Sequence, residues 1–126
     1  MGCGDSLSPT DVLGTYTLLT IMEQVPPRII LDEPGCQYTV TGGSLVLEAD
    51  RRFQLQLDEV TACPNPTGPG EVAELWLGQY HLDGATVVLR AVGDVFVDYR
   101  ARLRDGRLVV SLGGPYGDVV FERARS

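Results

Sequence analysis

The sequence contains no lysine, a single histidine and no Cys-x-x-Cys pair. Because most transition-metal sites need several converging imidazole, thiolate or carboxylate ligands, we expect no metal site around His81. A Ser-His-Asp triad would also have to use His81, and no serine lies in a Gly-x-Ser-x-Gly setting. Nothing marks a pair of carboxylates for glycoside chemistry. We therefore expect a protein that is not an enzyme and that carries no cofactor.

Positive charge is scarce as well, because ten arginines face seventeen acidic residues and leave a net charge of −7. Nucleic-acid binding draws mainly on cationic contacts to phosphates, and adsorption to anionic lipid needs a basic surface, so both are disfavoured. No apolar run approaches the ~18 residues that would span a bilayer. Four arginines form a small basic patch around one predicted turn: Arg100, Arg102, Arg104 and Arg107. The simpler interpretation of this patch is a solvated sheet edge whose charges discourage strand pairing.

What the sequence does contain is alternation of apolar and polar residues with a period of two, which is typical of half-buried strands. The alternation is clearest between Leu45 and Leu57, around a short turn at 50–52. We expect Gly42-Gly43 to separate this hairpin from an earlier strand at 36–41. Asp83-Gly84 is the strongest two-residue hairpin signal in the chain.

Repeated strands of this kind predict an all-β fold, an antiparallel up-and-down meander of roughly 8–10 strands closed into a barrel. Closure is preferred because it removes the exposed edges of a long flat meander. The barrel domain is expected over 12–126, after a flexible N-terminal tether at 1–11. The alternation also predicts which side chains fill the interior: Leu45, Leu47, Phe53, Leu55, Leu57, Tyr80, Leu82, Val87, Leu89, Val97, Tyr99, Leu108, Val110 and Phe121.

Short motifs carry a resemblance to a known family. Gly14-Thr-Tyr heads the first strand, Gly43-Ser-Leu-Val-Leu precedes a turn, and Gly78-Gln-Tyr introduces a second set of hairpins. With Val97-Asp98-Tyr99 and the closing Val120-Phe-Glu-Arg123, these motifs resemble the small lipocalin-like (calycin-type) β-barrels of bacterial envelope lipoproteins. Tyr16 stands where lipocalins carry a tryptophan. Over residues 12–124 the resemblance implies a barrel that binds a small apolar molecule in its mouth. It also implies that Arg123 or Arg125 packs over the Tyr16 ring.

Four aromatic residues are the candidates to line such a pocket: Tyr16, Trp76, Tyr80 and Tyr99. Alternatively they fill the barrel, since eight strands enclose a space just wide enough to be packed with side chains. Two hypotheses follow. The protein is a non-enzymatic envelope or secreted barrel that binds a small apolar ligand, or it is a structural or protein-interaction barrel with a filled interior that can also self-associate.

The three cysteines are an odd number, so one of them must be accounted for separately. We predict a disulfide between Cys36 and Cys63, against the alternative of two reduced, buried cysteines. Cys3 is left over on the polar leader, where it is interpreted as the lipid anchor of a mature lipoprotein and the only link to a membrane. An N-myristoylation pattern and an incidental cysteine are the other interpretations. Because disulfides persist in oxidising compartments, the predicted location is the cell envelope, as a periplasmic or surface lipoprotein, or the exterior.

Overall fold

The computed structural model describes residues 12–33, 36–62, 71–92, 97–114 and 116–123. No helix in these ranges is long and apolar enough to cross a membrane. The tether predicted at 1–11 lies outside them. The described chain forms nine strands: β1 (Gly14–Ile21), β2 (Arg28–Glu33), β3 (Cys36–Leu47), β4 (Arg52–Ala62), β5 (Glu71–Asp83), β6 (Thr86–Ala91), β7 (Val97–Arg104), β8 (Arg107–Gly113) and β9 (Gly117–Arg123).

The strands form one antiparallel sheet that closes on itself. The order is β1-β9-β8-β7-β6-β5-β4-β3-β2, and a further pairing of β1 with β3 joins the two sides. Eight strands therefore make a closed ring, from which β2 is left out. The predicted all-β meander closed into a barrel is confirmed. We call the end of the ring with the β3–β4, β5–β6 and β7–β8 turns the lower end, and the other the upper end.

Three long strands continue past the ring at the upper end. β3 pairs with β1 only over Ser44–Leu47, and its first half pairs with β2 instead. Likewise β5 pairs with β4 from residue 71, but with β6 only from Gly78 onward. The first halves of β3 and β5, the second half of β4 and all of β2 therefore form a four-stranded patch of sheet, which we call the extension.

The ring is filled with apolar side chains, as the alternation predicts. Tyr16, Phe53, Tyr80 and Phe121 are at most 3% exposed, and the aliphatic residues around them are as deeply buried. Of the residues predicted inside, Leu82 and Tyr99 are only half-buried. Val97 was predicted wrongly, since it is 40% exposed. As the first residue of β7 it lies at the upper rim of the ring, opposite Ala91, rather than in its middle.

The predicted strand break at Gly42-Gly43 is also wrong, because β3 runs unbroken through both glycines. A register shift between Val40 and Gly42 bends the strand here, close to where its neighbour changes from β2 to β1. A Cβ on Gly43 would lie only 2.5 Å from the carbonyl oxygen of Gln56. The glycine signal therefore reflects a bend and a close approach of β4, both of which strand glycines commonly serve, rather than a turn.

Candidate functional site

At the lower end, Tyr16 is the centre of a buried polar contact. Its hydroxyl donates a hydrogen bond to the carbonyl oxygen of Val12 at 2.8 Å and accepts one from Nη2 of Arg123 at 2.7 Å. The guanidinium carbon of Arg123 also lies 5.3 Å from the centre of the Tyr16 ring. The prediction of an arginine over Tyr16 is therefore confirmed, with Arg123 in that position. The contact ties the start of β1 to the end of β9.

The four predicted pocket residues do not come together. Tyr16 and Tyr80 are buried toward the lower end, where the Tyr80 hydroxyl donates to the carbonyl oxygen of Glu48 at 2.8 Å. Trp76 and Tyr99 are half-buried and face inward near the upper end. Both buried hydroxyls bond to backbone carbonyls, so these two tyrosines help to close the barrel.

At the upper end, Tyr116 from the β8–β9 turn spans the ring. Its hydroxyl donates to Oε2 of Glu59 on β4 at 3.1 Å, on the opposite side of the barrel. Its ring meets Trp76 edge to face, with centroids 5.4 Å apart and planes at 84°. Met22 lies against the same turn, since its N–H donates to the carbonyl oxygen of Asp118 at 3.0 Å. This group of side chains covers the inner face of the extension.

Among these upper-end side chains Glu59 is polar and buried, at 5% exposure. Burial raises the pKa of its carboxyl group, the bond from Tyr116 opposes that rise, and the neighbouring charge of Glu74 adds to it. The pKa of the Tyr116 hydroxyl is raised as well, first by burial and then by the charge of Glu59. Glu59 is not among the candidate residues predicted from the sequence, although the period of two places it on the same face as Leu55 and Leu57.

A second feature of the upper end lies on the outside of the barrel. Leu75 and Leu77 on β5 are 49% and 50% exposed, and Val92, beside Leu77, is 63% exposed. Together with the exposed Ala73 they form an apolar row, which we call the β5 strip. Its neighbours across the strand pair on β4 are Gln54, Gln56 and Asp58, and Gln56 donates to that aspartate. The strip is thus poor in charge on an acidic protein.

The backbone beside the β5 strip offers hydrogen-bonding groups to a further strand. The carbonyl oxygen of Leu77 accepts a bond from the N–H of Val92 at 2.8 Å, so the backbone groups of Leu77 point away from β4. Because this direction alternates along a strand, the groups of Ala73 and Leu75 point the same way. Among the described strands only β4 pairs with residues 71–76. Within the residues that the structure describes, this side of β5 is therefore an edge over 71–76.

The remaining predicted sites fall partly outside the described residues. Cys36 begins β3, whereas Cys63 and Cys3 lie outside, so the disulfide and the lipid anchor stay predictions. The described residues contain no group of three or more His, Cys, Asp or Glu side chains that could hold a metal ion.

Comparison with known proteins gives no match: no family model, no curated protein and no solved structure is similar to this chain. The likeness to lipocalin-like barrels therefore depends on the closed eight-stranded antiparallel ring alone.

Proposed function

We propose that this protein is a non-enzymatic β-barrel that acts by protein–protein contact through the β5 strip, and that its first partner is a second copy of the chain. The observation that carries the proposal is the pair of half-exposed leucines beside an open strand edge. Addition of a strand at such an edge is a common mode of protein recognition. The filled ring supports the same choice, because its apolar side chains already pack against one another.

A second copy fits the edge by symmetry. In an antiparallel pairing centred on Ala73, each Ala73 would face its mate and each Leu75 would stand opposite residue 71 of the other copy, within the stretch 71–76 that only β4 pairs with among the described strands. Glu74 would stand opposite residue 72, so no two carboxylates would be opposed. A two-fold contact of this kind uses one surface patch twice and closes without forming a fibre. Two chains with a net charge of −7 repel each other, and the charge-poor β5 strip is where that repulsion is weakest.

Sedimentation velocity of the full chain over a range of concentrations tests the proposal. We expect a monomer–dimer equilibrium that shifts toward dimer as salt screens the repulsion between acidic copies. The double variant Leu75→Gln with Leu77→Gln should remain monomeric. Val25→Gln, which replaces an exposed apolar residue outside the strands, should dimerise like the unmodified chain. A chain that stays monomeric at high concentration, or a double variant that dimerises normally, would refute the self-pairing.

Hydrogen exchange identifies the edge directly. The N–H groups of Ala73 and Leu75 face the open side, while those of Glu74 and Trp76 face β4. Protection of the first two should therefore rise with protein concentration, and protection of the other two should stay unchanged. Equal changes at all four would mean that the dimer, if present, does not use this edge.

Binding of a small apolar molecule at the upper end is a second candidate, favoured by the half-buried Trp76 beside Tyr116. Trp76 is the only tryptophan, so its fluorescence reports on this region alone. Titration with the neutral probe N-phenyl-1-naphthylamine should quench it in a saturable way if a site exists. In Tyr116→Ala the affinity should change, whereas Val25→Gln should behave like the unmodified chain. Unsaturable or absent quenching would dismiss this candidate.

We place the protein in the cell envelope or outside the cell, with Cys36 and Cys63 joined. The last described pair of the β3–β4 ladder, Gln37 with Ala62, adjoins both cysteines in the sequence. Opposed residues of such a ladder have Cα atoms about 4.5–5.5 Å apart, which is within reach of a disulfide. Intact mass after alkylation should show one free thiol before reduction and three after it. Three free thiols throughout, in protein from an oxidising compartment, would contradict both the bond and the location.

A further inference from the structure

A cleft of about 440 Å³ lies on the outer face of the barrel, and neither the β5 strip nor the side chains of Glu59, Trp76 and Tyr116 line it. The strands β6 to β9 form its floor. Six residues line it: Thr86, Arg100, Arg102, Val109, Ser111 and Asp118. Its volume falls within the range of small-molecule sites.

The register of the strands places two arginines between two hydroxyls. Arg100 and Arg102 lie two residues apart on the same face of β7, about 7 Å along the strand. Arg102 is opposite Thr86 of β6, and Arg100 is opposite Ser111 of β8. Each guanidinium thus has a hydroxyl next to it, on opposite sides of β7. Ser111 is in turn opposite Asp118 of β9, which puts one carboxylate at the far side.

Neither arginine has a close ion pair with a carboxylate of the described residues, in contrast to two other arginines of the barrel. Arg90 lies 2.8 Å from Asp98, and Arg52 lies 2.6 Å from Asp50. By contrast, Arg100 has a distant ion pair with Asp83, at 4.0 Å. Arg102 has neither an ion pair nor a side-chain hydrogen bond within the described residues. On a chain with seventeen acidic residues, two such guanidinium groups in one cleft are positioned for an external anion.

We propose that this cleft binds the oxyanion group of a small polar molecule, with Arg100 and Arg102 as the groups that hold it. A guanidinium presents two parallel N–H donors that match the oxygens of a phosphate, sulfate or carboxylate. Thr86 and Ser111 add hydroxyl donors. Asp118 repels a second anionic group and accepts hydrogen bonds, so the rest of the ligand carries a hydroxyl or an amine at that side. The ligand class is therefore a phosphate or sulfate ester, or a carboxylate, of a hydroxylated molecule.

Amide resonances of the full chain can be followed by NMR during titration with inorganic phosphate and, separately, with glycerol 3-phosphate at constant ionic strength. We expect saturable shifts confined to β6–β9. Arg102→Gln should weaken phosphate binding about tenfold or more, the scale of one charge-assisted contact. Arg102→Lys keeps the charge and loses the planar guanidinium. Its affinity for phosphate should lie between those of the unmodified chain and Arg102→Gln. Arg52→Gln removes the same charge on β4, at the lower end and away from β6–β9, and should change the affinity less than about twofold.

The variant Asp118→Asn distinguishes a site for free phosphate from a site for a phosphate ester. It should tighten the binding of inorganic phosphate, because a repulsive charge is removed. It should also reduce the preference for glycerol 3-phosphate over phosphate, because a strong acceptor for its hydroxyls is lost. Shifts spread over all arginines, or equal weakening in Arg52→Gln and Arg102→Gln, would show general attraction to positive charge and overturn the site. Absence of saturable shifts with both probes would overturn it too.

Discussion

The two ends of the barrel are both closed by a tyrosine, but with opposite electrostatics. At the lower end the Tyr16 hydroxyl joins a backbone carbonyl to the guanidinium of Arg123. At the upper end the Tyr116 hydroxyl donates to a buried carboxyl group, that of Glu59, with the charge of Glu74 nearby. Burial makes ionisation of Glu59 unfavourable, although the bond from Tyr116 opposes this effect. The difference teaches that the lower contact pairs a hydroxyl with a cation, whereas the upper contact pairs one with an acidic group whose pKa is raised by burial.

The largest effect should come from breaking the ring that both ends share. A Cβ in Gly78→Ala would overlap the carbonyl oxygen of Arg90 on β6, a backbone atom that cannot move alone. We expect the free energy of unfolding to fall by about 3 kcal/mol or more. Gly42→Ala is the matched control, since its Cβ would have its nearest contact at 3.7 Å, with Oδ2 of Asp58. Urea unfolding of both variants measures the difference, and equal stabilities would contradict the steric argument.

The next effect concerns the lower end. Tyr16→Phe removes the hydroxyl that bonds to the carbonyl oxygen of Val12 and to the guanidinium of Arg123. Because both groups lose this partner, we expect the free energy of unfolding to fall by about 1–3 kcal/mol. In Tyr99→Phe the lost hydroxyl has no hydrogen bond to the described residues, so the change should be much smaller. Thermal and urea unfolding of the two variants compare them. If Tyr99→Phe costs as much as Tyr16→Phe, the lower contact does not stabilise the closure.

The smallest effect, and the one that separates the ends, is a pH dependence at the upper end. Because burial raises the pKa of Glu59, the folded state favours its protonated form, and stability falls as pH rises from the ordinary glutamate range through the raised pKa. Glu59→Gln keeps an acceptor for Tyr116 and cannot ionise. It should therefore gain stability relative to the unmodified chain at neutral pH and show no gain at low pH.

Urea unfolding as a function of pH measures this gain. Glu122→Gln serves as control, because that carboxylate is exposed and lies 4.0 Å from Arg107. A gain for Glu59→Gln that is the same at acidic and neutral pH would assign the effect to packing rather than to the proton.

Much of the fold could be predicted because the alternation is local. The hairpin from Leu45 to Leu57, the filled interior and the arginine over Tyr16 are all as expected. The exceptions share a cause. Gly43 lies within a strand because β4 approaches it, and Val97 is exposed because it lies at the upper rim of the ring. Neither the approach of β4 nor the position of the rim is apparent from residues close in the sequence.

The candidate sites were less predictable for the same reason. The period of two places Glu59 on the apolar face of its strand. Its hydrogen-bond donor, Tyr116, comes from the β8–β9 turn, 57 residues later in the chain. The basic patch around Arg104 is evident from the sequence alone. Pairing of β7 with β6 and β8 then sets Arg100 and Arg102 beside Thr86 and Ser111 in one cleft.

By itself the sequence determined the class of fold, because burial on one side of a strand imposes a period of two on neighbouring residues. It also determined that the net charge is negative and that a turn lies at 105–106. The turn predicted at Asp83-Gly84 lies one residue later, at 84–85, because Asp83 still pairs with Thr86. Only the tertiary structure decided that the ring closes through β1 and β3 and that β3 to β5 continue beyond it. It also decided that, among the described strands, only β4 pairs with residues 71–76 of β5. Strand order and shear relate residues far apart in the chain, and no local pattern of side chains specifies them.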